Sequence, residues 1–281
     1  MKYLKQGLDF YINSSIHVAL SVVSLTYITL MEFKLPFDKV LLGFVFFASV
    51  TGYNFVKYFG TAKSYYRQIA RWLKYIQWFS FFCSLFMLGF MLQLKIKTLL
   101  YICGFGVVTF LYAIPFLPKR FYLDHKHNLR SVRGIKVYLI GLVWAGVTVF
   151  LPLENNGYNG IDSHVTITAV QRFVFVIALM LPFEIRDMQF DSLKLATIPQ
   201  KIGVKKTKIL GFVLMKIFVL LEFLKADFLI MNFIELGLVA TLTLLLILGA
   251  TKTQKKYYSS FWVEAVPVVW LLLVLLDRHF F

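Results

Sequence analysis

Nine runs of about twenty mostly apolar residues dominate the sequence, near 14–33, 38–58, 74–94, 98–117, 136–153, 165–184, 208–224, 227–249 and 259–277. Each approaches the length a helix needs to cross the hydrocarbon core of a bilayer, about 20 residues. A chain in lipid must satisfy its backbone internally, so it spans as helices or as a closed barrel. No strand-period alternation between turn signals is present, which excludes the barrel and leaves an all-α bundle of nine transmembrane helices. Composition agrees: 59% of the 281 residues are hydrophobic, 16% are charged and mean hydropathy is +0.73. A soluble domain is about half apolar and about a quarter charged. The expectation is a single membrane-embedded domain over residues 1–281. Cys83 and Cys103 lie inside apolar runs, so neither a metal cluster nor a disulfide framework is expected.

The net charge of +16 would point to nucleic acid in a soluble protein. Here the cations fall in short loops between apolar runs, where they orient the chain and meet anionic lipid headgroups, so nucleic acid is excluded as a partner. With the N-terminus placed in the cytoplasm, 22 of the 30 Lys and Arg fall on the cytoplasmic side and six on the other. A miscounted span would scramble that asymmetry. Nine spans therefore leave the C-terminus outside, and the plasma (inner) membrane is the expected location. The N-terminal segment lacks a small-residue cleavage site and reads as the lead-in to a retained helix.

The segment 183–203, FEIRDMQFDSLKLATIPQKIG, leaves the sixth run and carries Arg186, Asp187, Asp191 and Lys194. Asp187 and Asp191, four residues apart, share one face of a helix about a turn apart, with Glu184 near the same edge. Such anions repel unless a cation lies between them. Mg²⁺ suits that role, taking one or two carboxylates and completing its shell with water and phosphate. Arg186 and Lys194 could hold the remaining phosphate charge. The plain alternative is a solvated, salt-bridged helix end.

The order RDMQFD, then Thr197-Ile198-Pro199, then Lys201-Ile202-Gly203, resembles the second aspartate-rich motif of the UbiA superfamily of membrane prenyltransferases. The resemblance covers most of the chain and implies nine helices, with aspartate motifs after the second and sixth. It also implies transfer of an isoprenyl group from a Mg²⁺-bound isoprenyl diphosphate to a lipophilic, possibly aromatic, acceptor. On that basis Asp187 and Asp191 are the catalytic, metal-binding residues. Asn54, Lys57, Lys119, Arg120, Arg186 and Lys194 are the diphosphate-binding set. Lys119 and Arg120 come from YAIPFLPKR, similar to a Tyr…Lys-Arg stretch of the family, with a longer gap after Tyr112; topology-setting contact with headgroups explains the two cations equally well.

The first motif departs from the pattern. The family shows NxxxDxxxD at the end of the second helix; here Asn54 aligns, but Tyr58 and Ala62 occupy the aspartate positions and Lys57 adds a positive charge. No Asp or Glu occurs from Lys39 through Cys103, so no shifted register restores the site. Two Mg²⁺ ions cannot each find a carboxylate pair. Lys57, Lys63 or Arg67 could replace the second metal as counter-charge, without its Lewis acidity. A catalytically silent protein that keeps the fold and binds a polyprenyl lipid is the alternative. A small-molecule transporter ranks third, because the interesting charges gather at one membrane face. His125 and His127 read as solvated. Gly104, Gly106, Gly141 and Gly146 read as close helix packing. Lys216 and Glu222, in or near the seventh run, read equally as functional or as snorkelling ends.

Overall fold

A computed structural model describes residues 2–58, 71–113, 134–158, 160–189, 196–226 and 229–280. The described residues are α-helical throughout their regular segments, as α1 (Lys2–Asn13), α2 (Ile16–Glu32), α3 (Lys39–Tyr58), α4 (Arg71–Met91), α5 (Ile96–Ala113), α6 (Lys136–Ala145), α7 (Leu151–Asn155), α8 (Ser163–Asp187), α9 (Ile198–Leu220), α10 (Ile230–Gly249) and α11 (Val266–Phe280). A π-helical turn, Gly146–Phe150, joins α6 to α7 into one rod, and a second, Tyr258–Val263, leads into α11.

Helices stand at all nine expected positions. Among the described residues seven are long and apolar enough to span: Lys39–Tyr58, Trp72–Met91, Ile96–Ala113, Lys136–Asn155, Ser163–Asp187, Ile230–Gly249 and Tyr258–Asp277. An eighth is the pair Leu4–Asn13 and Ile16–Glu32, bent by 57°. α9 falls short because Lys201, Lys205, Lys206, Lys208 and Lys216 interrupt its apolar face. Nine spans are thus an expectation that composition supports for seven or eight helices. The bend after α1 sits at Ser15, which takes a left-handed φ of 64°. A serine there is strained by roughly 1 kcal/mol or more, so neighbours must hold it.

α8 is the central helix, packed on α6, α9 and α10, while α2 packs on α3, α11 and the turn after α6. Phe175, Leu179, Leu181 and Ile185 of α8 are fully buried. Phe175, Phe218 and Trp270 meet with centroids 5.2–5.5 Å apart, two of the three contacts edge-on, the geometry aromatic quadrupoles favour. α4 is the reverse case. Trp72, Tyr75, Trp78, Phe81 and Phe82 are exposed, which costs nothing where the surroundings are acyl chains. The glycines divide. A Cβ on Gly146 would lie 2.1 Å from the Phe105 ring and one on Gly141 3.1 Å from Phe173, so these two permit close packing; Gly104 and Gly106 face open space.

Four charged groups inside the bundle, Arg172, Glu32, Glu222 and Lys225, are met by protein. Arg172, midway along α8 and 2% exposed, donates to Leu25 O at 2.9 Å and to Thr29 Oγ1 at 3.3 Å, and its guanidinium lies 4.9 Å from the Trp270 ring centroid. At the end of the bundle holding the α2 C-terminus, Lys225 pairs with Glu32 at 2.7 Å and Glu222 at 2.8 Å. Glu32 also accepts from Thr168 at 2.8 Å, and Gln171 donates to Glu222 at 3.2 Å. Glu222 is therefore neither snorkelling nor open to a ligand. It belongs to a network tying α2 and α8 to the segment after α9.

Candidate functional site

The opposite end of the bundle gathers the C-termini of α3, α5 and α8 with the N-termini of α2, α6 and α11. α8 delivers Arg186 and Asp187 in its last turn. The Arg186 Nε and Nη2 groups both lie 2.8 Å from Asp187 Oδ1. Lys136, the first residue of α6, reaches across to Glu184 Oε1 at 3.1 Å and Asp187 Oδ2 at 3.5 Å. The cation that adjacent anions demand is thus supplied by the chain itself. The sequence shows Lys136 only as one loop cation among many, because its partners lie about fifty residues away.

α3 contributes differently from the expectation. Asn54 is 3% exposed and wholly engaged: Nδ2 donates to Ser14 O at 2.9 Å and Ser80 Oγ at 2.7 Å, and Oδ1 accepts from Ser15 Oγ at 2.8 Å. Both donors of the amide are used, so Asn54 offers a diphosphate no hydrogen bond. It instead clamps the strained α1–α2 bend. One turn on, Lys57 donates to Ser15 Oγ at 2.8 Å and keeps accessible surface. Tyr58, at an aspartate position of the resemblance, donates to Asn13 O at 2.9 Å. Asp191, Lys63, Arg67, Ala62, Lys119, Arg120, Lys194, His125 and His127 lie outside the described residues.

The turn before α11 adds a carboxylate that no sequence pattern announces. Glu264, half-buried, is within electrostatic reach of Lys57, Arg186, Tyr53 and Tyr11. Tyr53 OH accepts from Trp144 Nε1 at 2.5 Å, joining α3 to α6 beside the same interior. A single carboxylate in WVEAV carries no motif, and only the bundle brings it opposite Lys57.

Among the described residues no group of three or more His, Cys, Asp or Glu is placed to hold a metal. Asp187 supplies a hard oxygen donor of the kind Mg²⁺ takes, but Lys136 and Arg186 occupy its two oxygens. The donor chemistry suits Mg²⁺ at the α8 end alone, since α3 carries no Asp or Glu.

No family model and no curated protein matches the sequence. Two solved structures do match its fold. One is the apo structure of a UbiA homolog from Aeropyrum pernix K1, with TM-score 0.66, 14% identity, and 94% of this chain and 98% of that one covered. The other is a digeranylgeranylglyceryl phosphate synthase, with TM-score 0.55, 17% identity, and 98% and 97% covered. At such identities the likeness concerns the path of the chain, over nearly its whole length in both cases. This chain is an integral membrane protein with the UbiA fold.

Proposed function

We propose that the protein is an intramembrane prenyltransferase of the UbiA superfamily, moving an isoprenyl group from an isoprenyl diphosphate to a lipophilic acceptor. The observation that carries this is the convergence of Lys57 from α3 and Arg186 from α8 beside Asp187 at one end of a UbiA-fold bundle. Lys57 and Arg186 bind the diphosphate oxygens, Arg186 through the guanidinium N–H groups its pairing with Asp187 leaves over and Lys57 as a point charge. Ser15 aims Lys57, and Asn54 fixes Ser15. Lys119, Arg120 and Lys194 add contacts from outside the described residues. Asp187, released from Lys136, would hold Mg²⁺ together with Asp191, and the ion would supply positive charge to offset that of the departing diphosphate. The acyl-like tail of the substrate lies among apolar helices, and the aromatic pair Tyr53 and Trp144 borders its reactive end. The cytoplasmic side of the plasma membrane is the proposed setting, from the loop charges.

The second reading, a silent protein that only binds a polyprenyl lipid, is favoured by one observation: Tyr58 stands at an aspartate position of the resemblance and spends its hydroxyl on Asn13 O. Thermal stability of the detergent-purified protein with geranyl and farnesyl diphosphates, with and without Mg²⁺, separates the two. A ligand at 100 times its Kd stabilises the folded state by about 2.7 kcal/mol. The transferase predicts Mg²⁺-dependent stabilisation that is lost in Asp187→Asn. Stabilisation by a polyprenyl alcohol, with none from either diphosphate, would overturn it in favour of the silent binder.

A further inference from the structure

Ionisable groups within a membrane bundle are costly unless paired, and an unpaired one calls for a function. Arg172, Glu32, Glu222 and Lys225 are all met by protein. Glu264 is not. Its carboxylate makes no hydrogen bond and no ion pair with any described residue, yet Lys57 and Arg186 lie within electrostatic reach. It is half-buried, in the turn two residues before the last helix.

Its backbone, by contrast, is firmly held. Ser21 of α2 donates to Glu264 O. His17 Nε2 donates to Phe261 O at 2.9 Å, its ring stacks on Phe261 at 4.8 Å, and Tyr11 OH donates to its Nδ1 at 2.8 Å, which fixes the tautomer. The π-helical turn Tyr258–Val263 ends one residue before Glu264, and such turns re-aim the side chains that follow. A rigid backbone that presents an unpartnered carboxylate is the arrangement a positioned proton acceptor requires. The cations beside it are those assigned to the diphosphate, so the carboxylate lies beside the bond that breaks.

We propose that Glu264 is the proton acceptor of the transfer step, and that the acceptor substrate is a lipophile presenting a hydroxyl on the α11 side of the site. This rests on the transferase reading above. As the C–O bond of the allylic diphosphate breaks, its electron pair leaves with the diphosphate oxygen. The hydroxyl oxygen of the acceptor bonds to the freed carbon, the O–H electron pair stays on that oxygen, and the proton passes to the Glu264 carboxylate. Lys57 and Arg186 hold the diphosphate throughout.

The test uses the full-length protein in detergent with Mg²⁺, labelled farnesyl diphosphate, and two acceptor probes: 4-hydroxybenzoate and a total membrane lipid extract. Label in the prenylated product and melting with farnesyl diphosphate are both read for wild type, Glu264→Gln, Glu264→Asp and Asp187→Asn. The expected result is that E264Q melts like wild type and is still stabilised by farnesyl diphosphate, while transfer falls about 100-fold or more. E264D retains part of the rate. Transfer at the wild-type rate in E264Q overturns the proposal. So does loss of diphosphate stabilisation in E264Q, which would make Glu264 a partner that positions Lys57 and Arg186. If E264Q does not fold, Glu264→Ala is read in its place, with the same outcomes. Wild type that binds farnesyl diphosphate yet labels neither probe removes the proposal while sparing diphosphate binding; wild type that neither binds nor transfers removes the transferase reading itself.

Discussion

Lys57 donates a hydrogen bond to the hydroxyl of Ser15, a residue 42 positions earlier in a left-handed conformation, at 2.8 Å. That hydroxyl in turn donates to Asn54. The strained bend between α1 and α2 and the cation proposed to bind the diphosphate are thereby parts of one structure. Where the resemblance puts the first aspartate motif, this chain has a device that locks its N-terminal helix to α3.

Asn54→Ala therefore acts on stability before it acts on ligand. It removes three hydrogen bonds, taking from Ser14 O its side-chain donor and from Ser15 its buried acceptor, while Ser80 keeps its bond to Ile76 O; the loss is about 2–4 kcal/mol. Melting of the ligand-free protein should fall. A direct diphosphate contact would instead lower farnesyl diphosphate affinity while leaving ligand-free melting unchanged, which is the outcome that would refute the lock.

Arg172 ties α8 to two helices by means no other residue type reproduces. Arg172→Lys keeps the charge but loses the fork to Leu25 O and Thr29 and most of the face laid on Trp270. We expect about 2 kcal/mol of destabilisation and a change in Trp fluorescence, measured in the same detergent. Melting equal to wild type would show that charge alone suffices.

Lys225 stands between two carboxylates, Glu32 and Glu222, at 2.7 and 2.8 Å. Lys225→Met leaves both in the bundle without their cation and should cost about 3–5 kcal/mol, the usual penalty for breaking a buried pair. Adding Glu222→Gln to Lys225→Met should recover part of that loss. A double variant no more stable than the single one would show that the network contributes through packing and not charge.

The sequence by itself determined what bilayer physics dictates locally. Twenty-residue apolar runs with cations between them have few folded solutions, and helices stand at all nine expected positions. Arg186 and Asp187 could be singled out because the spacing to Asp191 and the segment after them lie within one stretch of chain; that Arg186 pairs with Asp187 is the structure's addition. Asn54 was visible, but its use was not. Whether an amide faces a ligand or a serine is decided by Ser14, Ser15 and Ser80, which are distant in sequence. Lys136 and Glu264 could not be singled out, since a lone lysine or glutamate at a helix start has no pattern to announce it. Only the tertiary structure decided that α6 sets Lys136 between Glu184 and Asp187, and that the turn before α11 brings Glu264 within electrostatic reach of Lys57 and Arg186. The physical reason is that hydropathy is a property of each segment, whereas pairing of charges depends on which segments the packing brings together.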